Sequence, residues 1–220
     1  MRTVVFDLDG TLADTSADLL ASANACFQAL GQGDVLRPQD ALTAFHGGRA
    51  MLRLGFARLG EPWTEDDVNR EYPNLLAAYA QGLVVETTLY TGAVEAVEAL
   101  RSLGYATAIC TNKPEGLAVE LVRRLGITHL FGALIGADTF PVRKPDPLPY
   151  REAVTRAGGT LARSFLVGDT ETDLATARAA GVPVALVTFG PEGKDIARLQ
   201  PDALLEHYEH LPALAGRLIS

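Results

Sequence analysis

Cysteine is scarce: the 220 residues contain only Cys26 and Cys110. That excludes a disulfide framework as the source of stability. One bridge could form, but the chain opens Met1-Arg2-Thr3 and runs straight into an apolar strand, without a secretory leader pattern. Free thiols and a reducing, cytoplasmic location are therefore expected. Basic residues are also in deficit, 19 against 27 acidic ones, for a formal net charge of -8. A nucleic-acid partner is not expected from such a balance, and an anionic ligand would need local cations to overcome the global field. No apolar run approaches the roughly 18 residues of a membrane span, so no membrane partner is expected. Histidine is sparse, with four residues. His129 has no motif around it. His207 and His210 could share one side of a helix, but no carboxylate-rich pattern accompanies them, and they read as surface residues.

Hydrophobic residues make up 48 % and charged residues 21 %, the balance of a folded soluble chain. Five short apolar runs read as buried parallel strands: Thr3–Phe6, Tyr105–Cys110, Ala133–Ile135, Ser164–Val167 and Val184–Val187. Helical patterns separate the later ones. Val94, Val97, Leu100 and Leu103 recur at helix spacing before Gly104, and Leu117, Leu121, Val122 and Leu125 before Gly126. Alternation of this kind predicts an α/β fold with a doubly wound parallel sheet, a Rossmann-like core. The stretch between the first two strands breaks the rhythm. Leu19, Leu20, Ala23, Phe27 and Leu30 mark one helix. Met51, Leu52, Leu54, Phe56 and Leu59 mark a second. Thr64 reads as the cap of a third, with Trp63 placed to staple onto Val68. Residues 14–85 are therefore expected to form a small inserted all-helical domain, leaving 1–13 and 86–220 as the core.

The chemistry gathers where strands end. The first strand runs into Asp7-Leu8-Asp9-Gly10-Thr11, the second into Thr111-Asn112-Lys113, and the fourth into Gly168-Asp169-Thr170-Glu171-Thr172-Asp173. Arg143-Lys144-Pro145-Asp146-Pro147 precedes the fourth strand. In open α/β sheets ligands bind beyond these carboxyl ends. Clustered carboxylates are costly unless a cation or proton lies between them. Hard oxygen donors suit Mg²⁺, and Lys144 beside such an ion suits a phosphate dianion.

Asp7-x-Asp9-x-Thr11, Thr111, Lys144, then Asp169 with Asp173, resembles the four ordered motifs of the haloacid dehalogenase superfamily. The helical insertion resembles that family's cap domain, and the likeness covers essentially the whole chain. Tyr90-Thr91-Gly92-Ala93, Cys110-Thr111-Asn112-Lys113-Pro114 and Arg143-Lys144-Pro145-Asp146-Pro147 resemble the phosphoglycolate phosphatases within it. Phe45-His46-Gly47-Gly48-Arg49-Ala50 resembles their glycine-rich specificity loop, with His46 where a glycine is common.

The resemblance implies a Mg²⁺-dependent phosphatase for a small phosphomonoester, 2-phosphoglycolate first among them. Asp7 would be the nucleophile and Asp9 the general acid and base. The Asp7 and Asp169 side chains and the Asp9 carbonyl would hold Mg²⁺, with Asp173 orienting from behind. Thr111, the Asn112 amide and Lys144 would bind the phosphoryl group, and Gly47, Gly48 and Arg49 the rest of the substrate. The alternatives are a phosphatase or phosphomutase for a sugar phosphate, and a non-enzymatic binding module. A dehalogenase is disfavoured because a departing halide needs no proton, which would leave Asp9 superfluous. Monomer and homodimer remain open.

Overall fold

The computed structural model describes residues 1–219. Its strands are β1 (Thr3–Phe6), β2 (Ala13–Asp14), β3 (Thr88–Leu89), β4 (Ala106–Cys110), β5 (Ala133–Ile135), β6 (Ser164–Gly168), β7 (Val184–Val187) and β8 (Ala203–Leu205). The α-helices are α1 (Ser16–Ala29), α2 (Ala41–Phe45), α3 (Gly48–Leu59), α4 (Glu65–Gln81), α5 (Ala93–Ser102), α6 (Glu115–Arg124), α7 (Pro147–Arg156), α8 (Glu171–Ala180) and α9 (Leu211–Leu218). The chain divides into two compact units, Met1–Asp14 with the chain from Leu89 onward, and Thr15–Thr88. Among the described residues no helix is long and apolar enough to cross a membrane.

The first unit is built on a six-stranded parallel sheet in the order β5-β4-β1-β6-β7-β8. The chain leaves β1 towards β4 and β5, then returns to β6 on the other side of β1. That reversal is the topological switch point at which α/β sheets bind ligands. Side chains alternate between the two faces of the sheet. Val5, Ala108, Leu166 and Val184 pack with Tyr150, Ala153 and Val154 of α7 and Ala177 and Ala180 of α8. Val4, Phe6, Ile109 and Val167 alternate with them and are equally buried. Burial on both faces explains why these strands read as unbroken apolar runs. Tyr150 keeps its hydroxyl satisfied by donating to Ser164 Oγ at 2.8 Å.

Three expectations needed correction in this unit. A sixth strand, β8, completes the sheet edge. Leu103 is the C-cap of α5 and is exposed, so the apolar stripe ends at Leu100. His207 and His210 do not share an α-helix either. They flank the short turn Tyr208–His210 with ring centroids 5.7 Å apart.

The helical unit packs α1 against α3 and α4. Phe27 and Phe56 meet edge to face at 5.3 Å, and Trp63 stacks on Phe56. Gly55 is required by this packing, because a Cβ there would lie 2.1 Å from the Phe27 ring. Thr64 and Asp67 form the capping box that starts α4. The buried Asp18 carboxylate accepts from the amides of Val85, Glu86 and Thr87, each at 3.0 Å, and from the Thr87 hydroxyl at 2.6 Å. That clamp ties residues 85–87 to α1 within the unit Thr15–Thr88.

Candidate active site

Register sets the stage. Phe6 lies beside Ile109 of β4 and Val167 of β6, so the chain leaves all three central strands at one level. Asp7 is still tied to the sheet, its amide donating to the Val167 carbonyl at 2.9 Å. Beyond it the chain turns tightly, with Gly10 at φ +78° and its amide donating to the Ala13 carbonyl. A left-handed residue is needed there, which is why glycine follows the second aspartate.

Two buried lysines thread the acids. Lys144 Nζ lies 2.9 Å from Asp7 Oδ2 and 2.7 Å from Asp173 Oδ1. Lys113 Nζ lies 2.7 and 2.9 Å from the two Asp9 oxygens. The second Asp7 oxygen accepts from the Leu8 amide at 2.7 Å. Asp173 spends its other oxygen on the Asp169 and Thr170 amides, both at 3.2 Å, and on the Thr170 hydroxyl at 2.7 Å. Gly168 makes room for it, since a Cβ there would lie 2.4 Å from Asp173 Cβ and Cγ. The Asn112 side-chain amide donates to the Lys144 carbonyl at 3.0 Å and so fixes the lysine loop to the end of β4. Thr111 is buried, and its hydroxyl accepts from the Lys113 amide at 3.2 Å. It is not the cap of α6, whose N-cap is Pro114.

Asp7, Asp169 and Asp173 can each present an oxygen within 4.8 Å of the others. Among the described residues Asp173 already accepts from four donors, whereas each Asp7 oxygen meets one and Asp169 Oδ2 none, so Asp7 and Asp169 are the better placed to meet a cation. Asp169 Oδ1 accepts from the Thr11 hydroxyl at 2.7 Å, whereas its buried Oδ2 meets no partner among the described residues. An orphaned buried carboxylate oxygen is costly in a protein unless an ion or proton supplies the missing charge. Burial, helped by Asp173 and Asp9 and opposed by Lys144, raises the Asp7 carboxyl to about 6. Burial, with Asp173 and Asp7, pushes Asp169 well above the carboxylate range. Burial alone would lower Lys144, but Asp173 and Asp7 outweigh it and hold the ammonium charged. Four ionised carboxylates against two ammoniums would leave two negative charges, which one divalent cation neutralises. The residues fit such an ion.

Asp7, Asp9, Thr111, Asn112, Lys144, Asp169 and Asp173 thus all lie in one unit, linked by these contacts. Gly47, Gly48 and Arg49 lie in the helical unit at the start of α3, with Gly47 as its N-cap at φ +94°. Arg49 is engaged there, donating to Asn69 Oδ1 and lying over the Tyr72 ring at 4.2 Å. Sequence reasoning assigned no role to Lys113 or to Thr11. The signal for Lys113 was its place: an ammonium directly after Thr111-Asn112, at a strand end facing an acid cluster.

Fold and cluster together define an α/β enzyme whose chemistry sits at the carboxyl edge of its sheet. The sequence pattern of haloacid dehalogenase-like hydrolases matches residues 4–187, and the chain belongs to that family. It is 38 % identical over 217 residues to a phosphoglycolate phosphatase of Mesorhizobium japonicum, covering 98 % of this chain and 96 % of that one. The figures for the phosphoglycolate phosphatase of Agrobacterium fabrum are 38 %, 98 % and 93 %. Among solved structures, a predicted phosphoglycolate phosphatase from Haemophilus somnus superposes with a TM-score of 0.84 at 25 % identity, covering 97 % of each chain.

Proposed function

We propose that the protein is a Mg²⁺-dependent phosphatase that hydrolyses 2-phosphoglycolate or a closely similar small phosphomonoester through an aspartyl phosphate on Asp7. The observation that carries this reading is the pairing of Asp7 with the buried Lys144 beside the orphaned Asp169 oxygen. In this reading Lys144 binds the anion, Asp7 is the nucleophile and Asp169 Oδ2 takes the cation, and the Lys144–Asp7 contact and the unpartnered Asp169 oxygen support it. The likeness to phosphoglycolate phosphatases over nearly the full chain supports the substrate.

Held by Asp7, Asp169 and the Asp9 carbonyl, Mg²⁺ would offset charge on the phosphoryl oxygens. A carboxylate oxygen of Asp7 attacks phosphorus, and the bond from phosphorus to the ester oxygen breaks. Asp9, acting as general acid, gives a proton to the departing alkoxide. Asp9 then takes a proton from water as that water attacks the aspartyl phosphate. The bond from phosphorus to Asp7 breaks, inorganic phosphate leaves, and Asp7 is restored. Thr111, the Asn112 amide and Lys144 hold the phosphoryl oxygens while charge shifts among them. Asp173 keeps Lys144 in place. Gly47, Gly48 and Arg49 are proposed to supply donors for the substrate carboxylate.

The test is a phosphomonoester panel assayed for inorganic phosphate with Mg²⁺ and with EDTA. We expect the highest kcat/KM on 2-phosphoglycolate, loss in EDTA, recovery with Mg²⁺ and no turnover by Asp7→Asn. A preference for a hexose phosphate would overturn the substrate. An isomerised sugar phosphate in place of inorganic phosphate would overturn hydrolysis itself. Arg49→Ala should raise KM for phosphoglycolate more than for an ester lacking a carboxylate.

A further inference from the structure

Tyr208 lies outside the motifs above and beyond the stretch 4–187 matched by the family. It is buried at the start of the short turn Tyr208–His210 that leads into α9. Its ring packs on Phe189, and Phe189 on Tyr90, with centroids 5.1 Å apart in each pair. Gly92, at φ +81°, closes this row, since a Cβ there would stand 3.3 Å from Tyr208 Cβ. Tyr90-Thr91-Gly92 therefore serves to seat an aromatic side chain.

The tip of that side chain is aimed at the nucleophile loop. The Tyr208 hydroxyl donates to the Thr11 carbonyl at 2.7 Å. Thr11 belongs to the tight turn closed by the Gly10 amide on Ala13 and the Leu12 amide on Leu8. The Thr11 hydroxyl in turn donates to Asp169 Oδ1 at 2.7 Å. With one oxygen held, the Asp169 carboxylate is fixed in rotation, and its other oxygen is the buried one without a partner. Groups that orient a ligand in this way govern metal affinity without touching the ion.

We propose that Tyr208 is a positioning residue for the cation site: its phenol fixes the Thr11 turn, and through the Thr11 hydroxyl it holds Asp169 with Oδ2 turned to a divalent cation. This rests on the reading of Asp169 as a cation ligand given above.

Tyr208→Phe keeps the ring and its packing and removes only the donor. Mn²⁺ serves as the probe, with free ion counted by electron paramagnetic resonance as each protein is titrated. The Mn²⁺ dissociation constant of Tyr208→Phe should rise about tenfold. At saturating Mg²⁺ the KM for substrate should be unchanged. Thr11→Val should weaken Mn²⁺ binding too. The double variant should be no more than about twofold weaker than Thr11→Val, because both act on one relay. Phe189→Leu loosens the aromatic row without touching the phenol and should leave Mn²⁺ affinity near wild type. Unchanged affinity in Tyr208→Phe, losses that multiply in the double variant, or an equal loss in Phe189→Leu would each overturn the proposal. Failure of the wild-type protein to bind Mn²⁺ would overturn the cation site itself, and this inference with it.

Discussion

The ammonium of Lys113 grips both carboxylate oxygens of Asp9, at 2.7 and 2.9 Å, and so ties the end of β4 to the loop after β1. Lys113 is almost fully buried, with its side chain 4 % exposed. A bidentate contact of this kind fixes the orientation of the Asp9 carboxyl group, the proposed acid and base. Lys113→Met should therefore harm substrates that need the proton more than those that do not. We expect kcat on an alkyl phosphate to fall about 10²-fold, the scale of general acid catalysis. On p-nitrophenyl phosphate, whose leaving group departs without a proton, the fall should be smaller. Steady-state rates on the two substrates check this, and equal losses would remove Lys113 from that role.

The fold was legible where its physics is local. Both faces of β1, β4 and β6 are buried, so these strands announce themselves as apolar runs, and the polar residues that follow mark the site. What escaped was non-local or short. The strand β8 is three residues long, and Leu204 at its centre is exposed. Neither run nor alternation could reveal it. The helix α2 is barely more than one turn. The pairing of Lys113 with Asp9 joins residues 104 apart, and only the register of β1 with β4 brings them together. The hold of the Asp18 carboxylate on residues 85–87 is likewise non-local, joining positions 67 to 69 apart.

That carboxylate yields a stability prediction. Asp18→Ala strips acceptors from three backbone amides and one hydroxyl. The Thr87 amide and hydroxyl are buried and would lose their acceptor, while Val85 and Glu86 are exposed to water, which makes the loss about 1–3 kcal/mol. Asp18→Asn retains one acceptor oxygen and should lie between Ala and wild type. Urea unfolding midpoints would show the order, and a wild-type midpoint for Asp18→Ala would refute the clamp.

Gly190 follows β7 and sits against the site. A Cβ there would lie 2.9 Å from the Gly10 carbonyl and 3.3 Å from Asp169 Cβ. One neighbour is backbone and the other carries the proposed cation ligand, so neither yields without moving the site. Gly190→Ala should lower kcat/KM by about 10²-fold, the cost of a small misplacement of reacting groups. It should also destabilise by about 1–3 kcal/mol. Full activity would show that the turn relaxes away from Asp169.

The two thiols should be inert in the folded protein. Burial, aided by Glu71, pushes Cys26 up to about 11. Burial pushes Cys110 up to about 12, opposed by Lys144 and aided by Asp7 and Asp173. At pH 8 a thiol held near 11 is thiolate in only about one part in a thousand. Raising the pH from 7 to 9 should therefore leave alkylation by iodoacetamide slow, and both residues should react promptly in urea. Mass analysis of time points would check this, and rapid labelling of either cysteine without unfolding would contradict it.

Asp9→Asn should separate the two halves of the proposed reaction. The amide keeps the backbone carbonyl and nearly the same shape, and it can still accept one hydrogen bond from Lys113. It cannot give a proton to a leaving group or take one from water. An alkoxide leaving group needs that proton, so phosphorylation of Asp7 by an alkyl phosphate should slow severely. p-Nitrophenolate departs without it, so p-nitrophenyl phosphate should still load Asp7. Attack by water then lacks its base, and the aspartyl phosphate accumulates. The expected trace on rapid mixing is a burst of p-nitrophenol, about one equivalent per active site, followed by a slow steady state. Acid-quenched mass analysis should find the phosphate on the peptide that contains Asp7. Steady release near the wild-type rate, with no covalent phosphate, would show that Asp9 is not the acid and base.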